Sequence, residues 1–147
     1  MEPIKIKVKK VHPDAIIPKY AHEGDSGMDL CSVENAKLNS LQRAVLKTGL
    51  SFEIPRGYEM QIRSKSGISL KKGIVVINSP GTIDSGYRGE ILVALFNTSN
   101  ETRFIEKGDK VAQLVLKKVE RIEFEESDNL NTTTRGYSGF GSTDKIE

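Results

Sequence analysis

The sequence predicts an all-β domain, a β-sandwich, jelly roll or barrel of many short strands. Three observations predict it. Apolar stretches are short and recur at regular spacing, several of them alternate with period two, and Gly, Pro, Asn and Asp punctuate them. No long helical periodicity competes with this pattern. At 147 residues, with 37% hydrophobic and 29% charged, the chain can build one sizeable core and is too apolar for wholesale disorder.

The elements follow in order. IKIKVKKV at 4–11 opens as a strand whose Lys5, Lys7, Lys9 and Lys10 form a charged face. A net charge of +2 for the whole chain is too small to mark a nucleic-acid partner. AVLKTGLSFEI at 44–54, YEMQIRS at 58–64, GIVVINS at 73–79, GEILVALFN at 89–97 and VAQLVLKKV at 111–119 read as further strands. PRG at 55–57, SPG at 79–81, DSG at 84–86 and KGD at 107–109 read as turns. One helix is expected, from Ser66 to Lys72, with Ser66 as its cap and Gly73 as its stop.

After Glu126 the composition turns polar and Gly-rich. The expected division is therefore a β domain over 1–126 and a flexible C-terminal arm over 127–147. Phe140 sits in that arm between Gly139 and Gly141. A plain linker has no use for an aromatic between two hinges, whereas a tail that closes over a flat ring does.

Cys31 is the only cysteine, which rules out an internal disulfide and a cysteine-rich metal site. Its expected role is a small core residue rather than a nucleophile. The N-terminus has no apolar signal core and no apolar run approaches a membrane span, so a reducing cytoplasm is the expected compartment. The two histidines, His12 and His22, lie near the N-terminus beside turn residues, where partners for a triad or zinc site cannot be placed.

Five segments carry side chains suited to chemistry. SGMDLCS at 26–32 places Asp29 in an apolar stretch; taken alone, a structural turn residue is the commoner role, a placed carboxylate the sharper one. RSKSGIS at 63–69 sets a cation, hydroxyls and a glycine where the helix begins, which suits either a phosphate cradle or an ordinary capped helix. NSPGTIDSGYRGE at 78–90 reads as a β-hairpin with Asp84 and Tyr87 near its tip. Its backbone edge can pair with a base and its Tyr can cover a sugar; the bland alternative is a turn Asp with a surface Tyr. GDKVAQL at 108–114 starts a strand and interrupts an apolar run with Gln113, either a satisfied edge residue or a donor aimed at a ligand. RGYSGFGST at 135–143 has the Gly, Arg, Ser and Thr of a phosphate-wrapping loop, but neither the Lys nor the helix of a Walker A loop.

Taken together and in this order, the five segments resemble the five motifs of the trimeric dUTPase family (deoxyuridine 5′-triphosphate nucleotidohydrolases) across residues 26 to 143. SGMDL resembles the first motif, NSPGTIDSGYRGE is close to a bacterial form of the third, and RGYSGFGST is close to the fifth. The resemblance implies a β jelly-roll homotrimer with shared active sites at subunit interfaces. The implied reaction is hydrolysis of dUTP to dUMP and pyrophosphate, which keeps uracil out of DNA and supplies dUMP for dTMP synthesis. It also implies Mg2+ held chiefly by the triphosphate.

By position, Asp84 would activate the water that attacks the α-phosphorus. Asn78 and the backbone of Gly81, Thr82 and Ile83 would read the uracil edge, and Tyr87 would lie under the deoxyribose and clash with a 2′-hydroxyl. Lys65, Ser66, Gly67 and Gln113 would contact phosphates. Asp29 would hold a water on the metal. From the arm, Arg135, Gly141, Ser142 and Thr143 would grip the outer phosphates while Phe140 covers the uracil.

Such a displacement at phosphorus needs mainly positioning and charge neutralisation, which these residue types supply. The second motif departs from the family's usual PRSG: Lys65 stands at the Arg position, supplying charge but no bidentate fork. In the fifth, Tyr137 and Ser138 stand where smaller residues are common.

Two rival readings fit the residues less well. The dCTP deaminases share the implied fold but carry a catalytic Glu ten residues beyond the hairpin Asp, where this chain has Ala94. A non-catalytic β-sandwich interaction module would have no need of Asp84, Tyr87 and Phe140 together.

Overall fold

The computed structural model describes residues 1–144; the last three residues of the expected arm lie outside the described residues. Eleven strands and one helix appear in the order β1 (Lys7–Lys10), β2 (Met28–Cys31), β3 (Ala36–Leu38), β4 (Arg43–Lys47), β5 (Leu50–Glu53), β6 (Tyr58–Arg63), α1 (Ser66–Lys72), β7 (Ile74–Val76), β8 (Gly81–Ile83), β9 (Leu92–Asn97), β10 (Arg103–Ile105) and β11 (Lys110–Lys118). All pair antiparallel, as β1-β5, β10-β3, β2-β11-β6-β8 and β4-β9-β7. This is the all-β jelly-roll class that the short alternating runs predict.

Alternation decides which side of each strand is buried. In β9, Val93 and Leu95 are fully buried, while Leu92, Ala94 and Phe96 face outward. In β6, Met60 and Ile62 point inward. They join Leu30, Leu50, Ile74 and Leu114 in one continuous core. Each fully buried aliphatic side chain contributes roughly 1.5–3 kcal/mol.

Several expectations change. The single strand over 44–54 is two strands, β4 and β5, broken at Gly49. Gly49 takes φ +70°, and a Cβ there would meet His12 Cβ at 2.7 Å. Strands β2, β3 and β10 lie outside the six predicted strand runs; each has only three or four residues, too few for a periodicity to declare itself. The helix runs from Ser66 to Lys72 and stops at left-handed Gly73, as expected, but Ser66 is not its cap. Lys65 occupies that position, with no side-chain capping bond.

The hairpin expected over 78–90 is not a closed ladder. β8 pairs with β6, whereas β9 pairs with β4 over Leu92–Phe96 and with β7 over Leu95–Asn97. The two arms splay apart because they join different sheets.

Asn97 is the most heavily committed buried polar side chain. Its Nδ2 donates to the carbonyls of Leu38 (3.1 Å), Asn39 (3.2 Å) and Glu101 (2.8 Å). Its Oδ1 accepts from Ser99 N and Ser99 Oγ. It thereby fastens the end of β9 to the β3–β4 and β9–β10 connections. Asn97→Ala should lower unfolding free energy by about 2–3 kcal/mol, because buried carbonyls lose their donors. Urea denaturation checks this; an unchanged midpoint would show that water replaces the amide without loss.

Candidate active site

The splayed arms enclose a cleft. Ile62, Val76, Asn78, Gly81, Thr82, Ile83, Leu92 and Ala94 line it. β8 is the last strand of its sheet, so the edge turned from β6 has no strand partner. Its backbone groups are available to a ligand. Asn78 sits at the Gly81 end, packed so closely that a Cβ on Gly81 would meet Asn78 Nδ2 at 3.2 Å.

At the other end of β8 the chain turns through Asp84. Tyr87 N donates to the Asp84 carbonyl, and Arg88 Nη1 donates to the carbonyls of Ser85 (2.7 Å) and Tyr87 (3.1 Å). Tyr87 Oη donates to the Glu90 carbonyl at 2.8 Å, and Glu90 Oε2 accepts from Gly49 N. The turn is thus stapled within itself and tied to the core. Thr82, Ile83, Asp84, Tyr87, Glu90 and Leu92 line a second hollow of about 160 Å³ that continues the cleft. Asp84 is exposed, and no ion pair among the described residues engages its carboxylate. Asp84 also borders a wider hollow of about 810 Å³ rimmed by Arg56, Arg88 and Arg121.

A second cluster forms around Asp29. Contrary to the turn role expected from sequence alone, Asp29 lies within β2, register-paired with Gln113. Lys65 Nζ is 2.6 Å from its Oδ1 and Lys110 Nζ is 3.3 Å from its Oδ2. Partial burial pushes the Asp29 carboxyl up, but the two ammoniums outweigh it and hold the group below its ordinary 3.8. Burial, aided by the Asp29 charge, pushes the neighbouring Cys31 thiol up, which suits an inert core residue.

Gln113 is no edge residue: β11 lies between β2 and β6. Its Nε2 donates to the Ser64 carbonyl at 3.0 Å, while its Oε1 lies against Gly27, where a Cβ would approach to 2.5 Å. Ser64 Oγ accepts from Val76 N, and Ser64 N donates to Ser79 Oγ. Ser66 and Gly67 are exposed beside this network, and a Cβ on Gly67 would meet nothing within 4 Å.

The structure therefore gathers the sequence candidates into separate groups. Asn78, Gly81, Thr82, Ile83, Asp84 and Tyr87 share the cleft side. Asp29, Lys65, Ser66, Gly67 and Gln113 share the other. Along β6, Met60 faces Ile83 and Arg63 faces Gln113, so the Asp84 row and the Asp29 row differ by about four residues and three strand spacings. That places the two carboxylates roughly 20 Å apart. Arg135, Phe140, Gly141, Ser142 and Thr143 are exposed and line neither hollow. Arg135 Nε donates to the Ser138 carbonyl within the arm itself.

Sequence reasoning missed Lys110, Ser64 and Arg88. Only the antiparallel register puts Lys110 beside Asp29, and only the folded turn shows Arg88 closing it.

No group of three or more His, Cys, Asp or Glu side chains among the described residues could hold a metal. Asp29 offers a lone carboxylate already matched by two ammoniums. That donor set fits a cation brought in by phosphates and touching the chain through Asp29; it does not fit a metal held by the protein alone.

Lys65→Ala removes the nearer ammonium but leaves Asp29 partly buried, so its carboxyl should titrate at higher pH than in the parent chain. Carbon-13 NMR of the Asp29 carboxyl reads this directly. Because the folded value lies below the ordinary 3.8, the ion pair stabilises the fold above that pH and is lost as pH falls through the folded value. The stability gap between parent and variant should close on acidification; a titration unmoved by the substitution would remove Lys65 as the partner.

A sequence model of the dUTPase family matches residues 13–144. The deoxyuridine 5′-triphosphate nucleotidohydrolase of Wolinella succinogenes is 47% identical over 145 residues, covering 99% of this chain and 97% of its own. That of Clostridium novyi is 49% identical over 140 residues, covering 95% and 99%. Among solved structures, a mutant dUTPase of Staphylococcus bacteriophage 80alpha with dUpNHpp superposes with TM-score 0.88 at 28% identity, covering 95% of this chain and 98% of that one. A mutant dUTPase of phage phi11, described with a structural Mg(II) ion, superposes with TM-score 0.81 at 26% identity, covering 88% and 100%. With a family match from residue 13 to 144 and near-full-length relatives at almost half identity, this chain belongs to the dUTPase family.

Proposed function

We propose that this chain hydrolyses dUTP to dUMP and pyrophosphate, with Asp84 as the general base. The observation that carries the reading is the splayed β8–β9 cleft: an unpaired strand edge and an amide, Asn78, at one end, and a free carboxylate with a tyrosine at the other. A uracil ring presents alternating acceptors and a donor along one edge, which a strand edge can pair. Cytosine would leave buried groups mismatched. Ala94 puts a methyl in the cleft wall, so no carboxylate stands there for the chemistry of the deaminase rival.

With uracil at the Asn78 end, the sugar lies at Tyr87 and the α-phosphate at Asp84. The Asp84 carboxylate takes a proton from a water as its oxygen attacks phosphorus. The bond to the bridging oxygen breaks, and pyrophosphate leaves. Asp29 would hold a water on an Mg2+ brought in by the triphosphate, which would supply charge neutralisation for the leaving pyrophosphate. Lys65, Lys110, Ser66, Gly67 and Gln113 serve the phosphates.

Those phosphates emerge beyond Asp84, away from the same chain's Asp29 cluster at the Asn78 end of β8. The reading therefore calls for a neighbouring copy to present its Asp29 cluster, and so for a homotrimer with shared sites. Apolar side chains on the outer face of the β4-β9-β7 sheet, Val45 (59% exposed) and Leu92 (44%) among them, support association. The arm from residue 127, with Arg135, Phe140, Gly141, Ser142 and Thr143, closes over the nucleotide. No helix of the described residues is long and apolar enough to cross a membrane, and we place the reaction in the cytoplasm.

Pyrophosphate release from dUTP with Mg2+, set against ammonia release from dCTP, tests the activity. Asp84→Asn should cut kcat by on the order of 10²–10⁴ while dUTP still binds. Near-parental turnover would remove Asp84 as the base.

Shared sites are tested by mixing. Asp84→Asn with an intact arm and a chain truncated before Arg135 should each be nearly inactive. Co-refolded in equal amounts, they should regain activity at roughly a quarter of all sites, the fraction joining an intact Asp84 to a neighbour's arm. Mixed trimers verified by native mass spectrometry but as inactive as their parents would show that the arm serves its own subunit.

A further inference from the structure

We propose that Gly89 is a specificity-determining residue of the sugar subsite. Its missing side chain lets the Tyr87 ring rest against the turn at the height that excludes a 2′-hydroxyl. The proposal rests on the reading of Tyr87 as the platform under the deoxyribose. A Cβ on Gly89 would lie 2.5 Å from Tyr87 Oη, 2.6 Å from Cζ and 3.0 Å from Cε2. Tyr87 Oη is fixed there by its 2.8 Å bond to the Glu90 carbonyl, and Glu90 is in turn tied to Gly49.

Backbone conformation does not require the glycine, because Gly89 is not among the residues with positive φ. Only the space occupied by the tyrosine does. A methyl at this position leaves the backbone acceptable and forces the ring outward, breaking its hydrogen bond to Glu90. The sugar then loses its platform and the site loses the steric wall against ribose. A contact of about one methyl group typically decides discrimination of 10-fold or more.

The same turn supplies a matched control. Gly86 also lacks a left-handed φ, and a Cβ there would meet nothing within 4 Å. Gly86→Ala therefore changes the same residue type in the same turn without touching Tyr87.

The experiment measures kcat/KM for dUTP and for UTP by pyrophosphate release with Mg2+. It uses the full chain and four variants: Gly86→Ala, Gly89→Ala, Tyr87→Ala and the Tyr87→Ala/Gly89→Ala double. Gly86→Ala should keep the parental dUTP preference. Gly89→Ala should lose about tenfold or more of it, approaching Tyr87→Ala, and the double variant should match Tyr87→Ala alone because nothing remains to collide. A relaxed Tyr87→Ala beside a Gly89→Ala of parental selectivity overturns the role of Gly89 and leaves the platform reading standing. If Tyr87→Ala itself keeps the parental preference, the platform reading fails and the proposal falls with it. Should Gly89→Ala prove insoluble, recovery of folding in the double variant would support the collision with Tyr87, and failure to recover would overturn it.

Discussion

A strand edge without a partner is the constraint on which the site depends. β9 pairs with β4 over Leu92–Phe96 and with β7 over Leu95–Asn97, while β8 joins the other sheet through β6. The segment between them therefore spans two sheets and leaves a row of main-chain donors and acceptors facing a cleft. Such groups are costly unless paired, by water or by a ligand with the matching pattern. A base edge is that kind of ligand. Since the row belongs to the backbone of a strand fixed to the core sheet, its geometry is set before any ligand arrives, which is where preorganised selectivity comes from.

Electrostatics divide the labour between the two ends of β6. At the Asp84 end the carboxylate is exposed and carries no ion pair among the described residues. At the Asp29 end the carboxylate is partly buried and gripped by Lys65 and Lys110. One negative and two positive charges leave a net positive patch there.

The described contacts also show what is rigid and what is not. Ser64, Gln113 and Gly27 interlock three strands, and Arg88, Tyr87 and Glu90 interlock the turn that carries Asp84. Among the described residues the arm makes only local hydrogen bonds, such as Arg135 to Ser138 and Ser142 to Gly139.

Local signals in the sequence were enough for the fold class and for the extent of α1 with its Gly73 stop. Period-two alternation, left-handed glycines and turn residues act within a few positions of themselves. Lys65 rather than Ser66 takes the cap position, with no side-chain capping bond to announce it. Strands β2, β3 and β10 were illegible because a three- or four-residue strand carries little periodicity of its own. What lay beyond sequence was pairing at a distance: that β8 takes β6 and refuses β9, that Gln113 reaches Ser64 49 positions away, and that Lys65 reaches Asp29 across 36. The ~20 Å that separates Asp84 from Asp29 belongs to the same class. The sequence names both carboxylates, but only sheet order and register set them at opposite ends of one strand, since those are decided by which edges the rest of the core leaves free.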